Sequence, residues 1–414
     1  MKRGLTAGKL AALALLCSPA AAAAAPGDIY VADRAGGPGG SGAIVKIEAA
    51  GGAISTVSAG PPLSDPTDMA FDAAGNLVVA DEANAAIYRV DPATGAVTQI
   101  AFGGQLRDPW GVTFGPNGRL FVADIGRADP AAVVFRINVD SGAKASLVEG
   151  APLVDPVGIA RESETGLVLT DLNGLDGVAN GAVYRLEAET GALSPLATGP
   201  PLVDPWGIAV EAGGRIVVTD VSAGGGGLLA IDPSSGTVTP LATGAPFVEP
   251  VDLALAPDGT ALVADLLATG AGAVLRADLA TGATSTLASG APLVEPSAVL
   301  IEPELCHGQV PTLVGSSSDD RLLGTRRDDT VAGLGGNDLL RGFNGNDLFC
   351  GGDGRDRVNA GKGSDEVDGG PGADRLNGST GSDRIVGGEG TDRCNGGSGK
   401  GDSAAGCERR VGFP

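Results

Sequence analysis

Residues 202–210 read LVDPWGIAV, and close variants of this phrase recur along residues 63–301. The other five copies are LSDPTDMAF, LRDPWGVTF, LVDPVGIAR, FVEPVDLAL and LVEPSAVLI, so each copy places an aspartate or glutamate before a proline. The six prolines are Pro66, Pro109, Pro156, Pro205, Pro250 and Pro296. The spacing of these copies decides the fold.

Two intervals around each proline are constant. A turn glycine precedes every proline by 14 residues, and an aspartate that ends a VAD-like segment follows by 15 residues wherever it is present. These aspartates are Asp33, Asp81, Asp124, Asp171, Asp220 and Asp265. A repeat of roughly 46 residues built from short strands and Gly-rich turns predicts a β-propeller with four antiparallel strands per blade.

The two ends of the repeat set the number of blades. The first unit, at residues 28–58, lacks its innermost strand, and the last unit consists of that strand alone at 298–302. One blade is therefore predicted to be split, so that the last strand closes the ring on the first. The sequence predicts six blades over residues 26–305.

The motifs P-x-G-I-A, G-x-I-x-V-x-D and I-x-x-I-D resemble those of six-bladed propellers of the NHL and SMP-30-like (gluconolactonase-like) type. This resemblance implies the fold but not one function, because such propellers include lactonases, lyases and interaction scaffolds. Gluconolactonase-like enzymes hold a divalent metal with Glu, Asn and Asp, and virginiamycin-lyase-like propellers use His. Residues 26–305 contain no His, and no Glu/Asn/Asp trio matches by motif.

Two sets of carboxylates are expected at one face of the propeller. The inner set lies beside the channel mouth and comprises Asp65, Asp108, Asp155, Asp204, Glu249 and Glu295. The outer set consists of the VAD-like aspartates. The carboxylates of both sets could be structural, as turn openers that accept backbone N–H groups, or functional, as a site for a cation or polar ligand. Trp110 and Trp206 follow the DP pair and are expected either between blades or against a ligand.

The same face carries the only loops of variable length. From the VAD-like aspartate to the turn glycine the chain runs 19, 14, 18, 20, 16 and 17 residues. A constant scaffold with variable loops is typical of a binding surface. We therefore expect this face to be the functional surface of the propeller.

From Gly315 the period changes to nine. An aspartate stands five residues after each of nine successive repeat starts, and an apolar residue follows two positions later. The aspartates are Asp320, Asp329, Asp338, Asp347, Asp356, Asp365, Asp374, Asp383 and Asp392. The pattern resembles the G-G-x-G-x-D-x-U-x repeat of RTX (haemolysin-type) proteins, and this resemblance implies a parallel β-roll that binds Ca²⁺.

The chemistry of the repeat favours calcium over other metals. Glycine carbonyls and Asp carboxylates are hard oxygen ligands, whereas zinc prefers His and Cys, and magnesium prefers fewer protein oxygens. Ser318 and Arg327 replace Gly in the first two repeats, which makes Asp320 and Asp329 the weaker candidates. Pairing turns two repeats apart predicts five sites: Asp338 with Asp356, Asp347 with Asp365, Asp356 with Asp374, Asp365 with Asp383, and Asp374 with Asp392.

Four cysteines, Cys306, Cys350, Cys394 and Cys407, lie in residues 306–414. An even set in an exported protein predicts two disulfides, for which three connectivities exist. We favour Cys394–Cys407, which would staple the end of the roll, and Cys306–Cys350, which would tie the linker to it. His307, the only histidine, is expected to be inert.

Residues 1–25 have the form of a secretory signal peptide, with Lys2, Arg3 and Lys9 before an apolar run and small residues. Leu16 stands where lipoprotein signals carry a small residue, so lipidation of Cys17 is not expected. No stretch is long enough to span a membrane. The net charge of −22, most of it in the propeller, disfavours nucleic acid and anionic membranes as partners of the chain as a whole.

The sequence thus predicts an exported, all-β, calcium-binding protein, secreted or held at the cell surface. Its domains are a signal peptide (1–25), a six-bladed propeller (26–305) and an RTX-like roll with a disulfide-stapled cap (306–414). We expect the propeller to be a scaffold for an extracellular protein or glycan. The alternative is a metal-dependent lactonase or lyase that acts at the channel mouth.

Overall fold

In a computed structural model, the described residues are 27–413 except 50, 116–117, 127–131, 164, 174–180 and 223. The predicted signal peptide lies outside the described residues. Within them, the chain forms six four-stranded antiparallel sheets and then two six-stranded parallel sheets. This confirms the predicted fold class, a six-bladed β-propeller followed by a parallel β-roll.

The first blade is split between the two ends of the propeller, as predicted. Its strands are β1 (Ile29–Asp33), β2 (Ala43–Ile47), β3 (Ile54–Ala59) and β24 (Pro296–Ile301). Strand β24 pairs antiparallel with β1, with Ile29 opposite Ile301 and Asp33 opposite Pro296. This pairing closes the ring between its first and last strands.

The other five blades are continuous in sequence. The second contains β4 (Pro66–Phe71), β5 (Leu77–Asp81), β6 (Ala86–Val90) and β7 (Val97–Phe102). The third contains β8 (Pro109–Phe114), β9 (Leu120–Asp124), β10 (Val133–Ile137) and β11 (Lys144–Glu149). The fourth contains β12 (Pro156–Arg161), β13 (Gly166–Asp171), β14 (Ala182–Glu187) and β15 (Leu193–Thr198). The fifth contains β16 (Pro205–Val210), β17 (Ile216–Asp220), β18 (Gly227–Ile231) and β19 (Val238–Thr243). The sixth contains β20 (Pro250–Leu255), β21 (Thr260–Asp265), β22 (Ala273–Asp278) and β23 (Thr284–Ser289), with a 3-10 turn at Ala268–Gly270.

The second strand of each blade is buried on both faces. Strand β5, for example, is buried at all five positions. Its side chains pack alternately against the two neighbouring blades, with Leu77 and Val79 in one apolar cluster and Val78 and Ala80 in the next. Contact on both faces explains why these strands read as continuous apolar runs rather than alternating ones.

The roll stacks short strands into two parallel sheets. One sheet contains β25 (Leu313–Val314), β27 (Thr330–Ala332), β29 (Leu348–Cys350), β31 (Glu366–Asp368), β34 (Arg384–Val386) and β37 (Ser403–Ala405). The other contains β26 (Arg321–Leu323), β28 (Leu339–Asn344), β30 (Arg357–Lys362), β33 (Arg375–Thr380), β36 (Arg393–Asn395) and β38 (Arg409–Val411). A small pair, β32 (Pro371–Gly372) and β35 (Glu389–Gly390), lies at the turns.

The core of the roll consists of the apolar residue of each repeat, as predicted. These residues are Leu322, Val331, Leu340, Phe349, Val358, Val367, Leu376, Ile385 and Cys394, joined by Ala360. Both predicted disulfides, Cys306–Cys350 and Cys394–Cys407, are formed. The first holds the linker against the roll, and the second closes its far end.

The roll contacts the propeller near its first coil. The backbone N–H of Ser317 donates to the carbonyl of Pro257 at 3.1 Å, and the Arg161 guanidinium donates to the carbonyl of Thr312 at 2.9 Å. No helix among the described residues is both long and apolar enough to cross a membrane.

Candidate functional site

The VAD-like aspartates stabilise the loops that precede the innermost strands. Asp81 is fully buried and accepts the backbone N–H groups of Ser64 and Asp65 at 2.8 and 3.2 Å. The equivalent aspartates make the same pair of contacts in every blade, and Asp33 does so across the split blade to Val294 and Glu295. Their repetition therefore has a structural cause, the need to satisfy buried backbone donors.

The inner carboxylates at the mouth have varied surroundings. Asp65 forms an ion pair with Arg34, which also contacts Glu82 at 3.0 Å, and Asp155 accepts from the amide of Asn173. The structure places the rest of the set, Asp108, Asp204, Glu249 and Glu295, at equivalent positions before the innermost strands.

Two of these carboxyls lie beside tryptophans. Burial, and then the nearby Asp124 carboxylate, raise the pKa of Asp108 to about 6, and burial also raises the pKa of Asp204. The indoles of Trp110 and Trp206 meet edge to face with ring centroids 5.0 Å apart, and the Arg34 guanidinium lies 5.2 Å above the Trp110 ring. Both tryptophans line the channel, and Trp206 also packs against the apolar cluster shared by the first and sixth blades.

The channel also contains an acidic pair that the sequence reasoning missed. Asp68 and Asp252 line a cavity of about 30 Å³ together with Trp110 and Trp206. Asp68 accepts the backbone N–H of Val112 at 2.7 Å, and Asp252 accepts that of Val299 at 2.9 Å, so each carboxylate bridges to the next blade.

The sequence contains a signal for this pair. Two residues after the repeated proline, blades three, four and five carry Gly111, Gly158 and Gly207, whereas blades two and six carry Asp68 and Asp252. Burial, and then the Asp252 carboxylate, raise the pKa of Asp68 well above its ordinary value. Burial raises the pKa of Asp252 to about 7.

Asp252→Asn should stabilise the chain at alkaline pH. Because the folded-state pKa is raised from 3.8 to about 7, folding retains a proton that the unfolded chain has lost between these values, so stability falls as pH rises through this window. Asparagine keeps an acceptor for Val299. In thermal unfolding we expect a gain of about 2 kcal/mol at pH 8 that disappears near pH 4. The exposed Asp140→Asn is the control, and an equal gain at both pH values would contradict the explanation.

The roll aspartates form two buried columns at its two edges. From Asp338 onward, the Oδ1 atom of each aspartate accepts the backbone N–H of the aspartate one coil earlier, as in Asp338 N–H to Asp356 at 2.8 Å and Asp347 N–H to Asp365 at 2.9 Å. One column contains Asp320, Asp338, Asp356, Asp374 and Asp392, and the other contains Asp329, Asp347, Asp365 and Asp383. The pairs two repeats apart are thus neighbours in the structure.

The second carboxylate oxygen of these residues is buried without a hydrogen-bond donor among the described residues. This holds for Oδ2 of Asp338, Asp347, Asp356, Asp365, Asp374, Asp383, Asp392 and Asp402. A buried, unpaired carboxylate oxygen is costly unless a cation neutralises it. The same atom is left open coil after coil, which indicates a ligand rather than a packing defect.

In the first two repeats the second carboxylate oxygen does accept hydrogen bonds. Asp320 Oδ2 accepts from the backbone N–H and hydroxyl of Ser316 at 2.6 and 2.9 Å, and Asp329 Oδ2 accepts from Thr325 N–H at 2.6 Å. In later repeats the residue at this position has positive φ, and there even Leu334 has φ 72°. The Oδ2 atoms without a hydrogen-bond donor among the described residues therefore start at the first repeat whose second residue has positive φ.

The first residue of each repeat, which is glycine except at Ala360, forms the wall of this space. A side chain at Gly369 would place its Cβ 2.5 Å from both Asp374 Oδ2 and the carbonyl oxygen of Gly387. Glycine therefore keeps free a corner that is lined by one carboxylate oxygen and one carbonyl oxygen. An all-oxygen corner of this kind suits Ca²⁺.

The spacing of the coils also fits calcium. Equivalent atoms in adjacent strands of a parallel sheet repeat at about 4.8 Å. Aspartates of adjacent coils would therefore be close enough for their oxygens to hold one Ca²⁺ together. Burial raises the pKa of Asp347 and Asp356 to about 7, so without a cation both carboxyls retain protons near neutrality.

Asp402 continues the second column and was missed by the sequence reasoning. Its Oδ1 accepts the N–H of Asp383 at 3.0 Å, and its Oδ2 is another open buried oxygen. One extra residue separates it from the tenth repeat start, Gly396, so it falls out of the nine-residue phase. The other column ends on Glu408, which accepts the N–H of Asp392 at 2.6 Å.

A different kind of metal cluster is found at the linker. Over the described ranges, Cys306, His307 and Cys350 are the only three cysteine, histidine or carboxylate residues with ligand atoms all within 4.8 Å of one another. Both cysteines belong to the disulfide, and His307 Nδ1 lies 3.3 Å from Glu366. The acids at the channel mouth form no such cluster within the described residues.

Comparison with protein-family models matches the roll. The family model described as "RTX calcium-binding nonapeptide repeat (4 copies)" matches residues 314–349, 323–358, 341–376 and 368–401. The roll is made of RTX calcium-binding repeats. This confirms the resemblance inferred from the nine-residue period, and the matched residues end just before Asp402.

Comparison with solved structures concerns the propeller. A chain from a crystal structure of a nidogen/laminin complex matches with a TM-score of 0.55 and 16% identity, over 67% of this chain and 98% of that one. Virginiamycin B lyase from Staphylococcus aureus matches with a TM-score of 0.47 and 18% identity, over 64% of this chain and 82% of the lyase. At these identities the nidogen/laminin match shows the propeller fold alone. No curated protein sequence matches significantly.

Proposed function

We propose that this chain is an exported protein whose RTX roll folds around calcium, and whose propeller presents a scaffold surface to an extracellular protein or glycan. The observation that carries the calcium assignment is the row of buried carboxylate oxygens without donors. The proposed domains are the signal peptide 1–25, the propeller 26–305 and the roll 306–414.

The proposed calcium ligands are the aspartates with an open Oδ2. They pair within columns as Asp338–Asp356, Asp356–Asp374 and Asp374–Asp392, and as Asp347–Asp365, Asp365–Asp383 and Asp383–Asp402. Calcium supplies positive charge between the stacked turns, while the chain holds the oxygens in place through the Oδ1 hydrogen bonds. Asp320 and Asp329, whose Oδ2 atoms already accept hydrogen bonds, would start the columns without binding the ion.

Calcium binding of this kind is coupled to folding. The ligands come from successive coils, so the unfolded chain has no preformed site. Without calcium, the buried carboxylates must either repel one another or take up protons. Export from a low-calcium cytoplasm followed by folding in a calcium-rich exterior fits this coupling, and the two disulfides suit an oxidising compartment.

Limited proteolysis of the full chain tests this proposal. With calcium, the region after residue 306 should resist cleavage, whereas with excess chelator it should be cut while the propeller remains intact. N-terminal sequencing of protein recovered outside expressing cells should give a start near residue 26. Cleavage of the roll at equal rates in both conditions would contradict calcium-coupled folding.

One observation favours the second candidate, a lactonase or lyase at the channel. Asp68 and Asp252 lie in a channel cavity beside two tryptophans, and burial raises the pKa of Asp252 to about 7, which suits acid–base chemistry near neutrality. Turnover of small lactones by the wild type, and its loss in Asp252→Asn, would support this candidate. If the wild type does not turn over lactones with or without added divalent metals, the result would favour the scaffold function.

A further inference from the structure

An exposed column of arginines runs along one face of the roll. In the sheet β26–β28–β30–β33–β36–β38, Arg357, Arg375, Arg393 and Arg409 occupy the same register position in adjacent strands. All four are exposed, and Arg321 lies at the same position two strands before Arg357, beyond Leu339. Because the sheet is parallel and in register, these side chains repeat at about 4.8 Å.

On the outward face of this sheet the arginine column has no acidic neighbour among the described residues, although each arginine directly follows, in the sequence, a residue of the acidic column that ends on Glu408. The four arginines form no ion pair among the described residues, and the two outward rows of this sheet contain no aspartate or glutamate. Like charges at directly adjacent sheet positions are destabilising. On the opposite sheet the equivalent Arg384 is paired with Glu366, so the roll neutralises its charge on one face and not on the other.

A row of amides lies beside the arginines. Residues two apart in a strand point to the same side of a sheet, so Asn359, Asn377 and Asn395 share this face and are in register. Hydrogen bonds of 2.8 Å run from the Asn395 amide to Asn377, from the Asn377 amide to Ser379 and from the Ser379 hydroxyl to Asn359, and they align the row. Each amide nitrogen carries a further N–H that can donate to a ligand. Guanidinium groups next to neutral amides can bind anionic groups and hydroxyl groups together.

We propose that this face binds a linear acidic polysaccharide, with its carboxylate or sulfate groups on the arginine column and its hydroxyls on the asparagine row. A single straight column suits one extended chain, and the amide N–H groups beside it can donate to the hydroxyl groups of a sugar. Double-stranded nucleic acid carries one charge per about 1.7 Å of its axis, which is much denser than arginines that repeat at about 4.8 Å. A chain of net charge −22 therefore disfavours the duplex more than a polysaccharide with widely spaced charges.

The proposed polysaccharide site depends on the calcium proposal. The arginines come into register only when the coils are stacked, so the site exists only in the calcium-folded roll. Calcium would also offset the negative charge of the aspartate columns at the edges of the same coils. Polysaccharide binding should therefore require calcium, although the polysaccharide itself need not bind the ion.

The double variant Arg375→Gln/Arg393→Gln tests this inference in the full chain with calcium present. Binding of hyaluronate (carboxylate) and of dextran sulfate (sulfate) is measured against neutral dextran, with Arg384→Gln on the opposite sheet as the matched control. We expect about a tenfold loss of affinity for the charged polymers in the double variant and no loss in the control. Binding should weaken as salt is raised.

Three outcomes would overturn the inference: equal polymer binding by the double variant and the wild type, no binding of either charged polymer by the wild type, or preferential binding of duplex DNA. Calcium titration of the same proteins distinguishes failure of the polysaccharide inference from failure of the calcium proposal. The double variant should bind calcium as the wild type does, because neither arginine lies in the aspartate columns. A chain that fails to fold with calcium would refute the calcium proposal instead.

Discussion

Asp356→Asn should stabilise the calcium-free chain and destabilise the calcium-loaded chain. Asparagine keeps an oxygen to accept the N–H of Asp338 but removes a carboxyl whose Oδ2 has no partner among the described residues, and which must either stay charged at a cost or take up a proton. Without calcium the variant should therefore gain about 1 kcal/mol, because burying an unpaired charge costs free energy. With calcium it should lose about 3 kcal/mol, because Asp356 belongs to two of the proposed ion sites and a tenfold loss at each costs about 1.4 kcal/mol.

The opposite signs make this variant diagnostic. Calorimetric unfolding in excess chelator and in millimolar calcium gives both values from one protein preparation. Asp353→Asn is the matched control, because Asp353 lies in the same turn but is exposed and outside the columns. A shift of the same direction in both conditions would show that Asp356 acts as a structural residue rather than as an ion ligand.

Gly354→Ala should disrupt the stacking of the coils. Gly354 has φ 133°, a conformation that side chains rarely adopt, and an added Cβ would overlap the carbonyl oxygen of Gly336 in the previous coil. The two coils cannot move apart to relieve this overlap without breaking the backbone hydrogen bonds between β28 and β30, the strands that follow Gly336 and Gly354. We expect a loss of about 3–5 kcal/mol in the unfolding of the roll, with loss of calcium binding around Asp338 and Asp356.

The control for this variant is a glycine without either constraint. Gly213 lies in a propeller turn and does not have positive φ, and a Cβ added there would meet no atom within 4 Å, so Gly213→Ala should be nearly neutral. Circular dichroism and calcium titration of both variants provide the comparison. If Gly354→Ala unfolds and binds calcium like the wild type, the close approach of the coils is not required.

Much of the fold could be predicted because each domain repeats one structural unit, and every copy of the unit must meet the same packing requirement. In the propeller, the constant intervals reflect strands of fixed length, and the split blade follows from the two incomplete units at its ends. In the roll, the inward position must be apolar in every repeat, from Leu322 to Cys394. The Cys394–Cys407 pair was predictable because its cysteines lie 13 residues apart at the end of the roll, and Cys306–Cys350 then follows as the remaining pair.

The remaining features depend on contacts that a repeat pattern does not contain. Asp68 and Asp252 are single departures from glycine, and their significance arises only when six innermost strands meet around one channel. Asp402 lies one residue out of phase and returns to the column only through the shape of the final turn. The aspartates at the blade ends had two interpretations, and only the backbone donors around Asp81 distinguish them.

The most direct test of the calcium assignment is a calorimetric calcium titration of the full chain, followed by circular dichroism. The two columns contain three adjacent open pairs each, so we expect about six ions per chain, with a gain of β structure as they bind. Five ions would show that Asp402 takes no part. No calcium binding, or binding without any gain of structure, would contradict the claim that these carboxylates hold calcium and that calcium folds the roll.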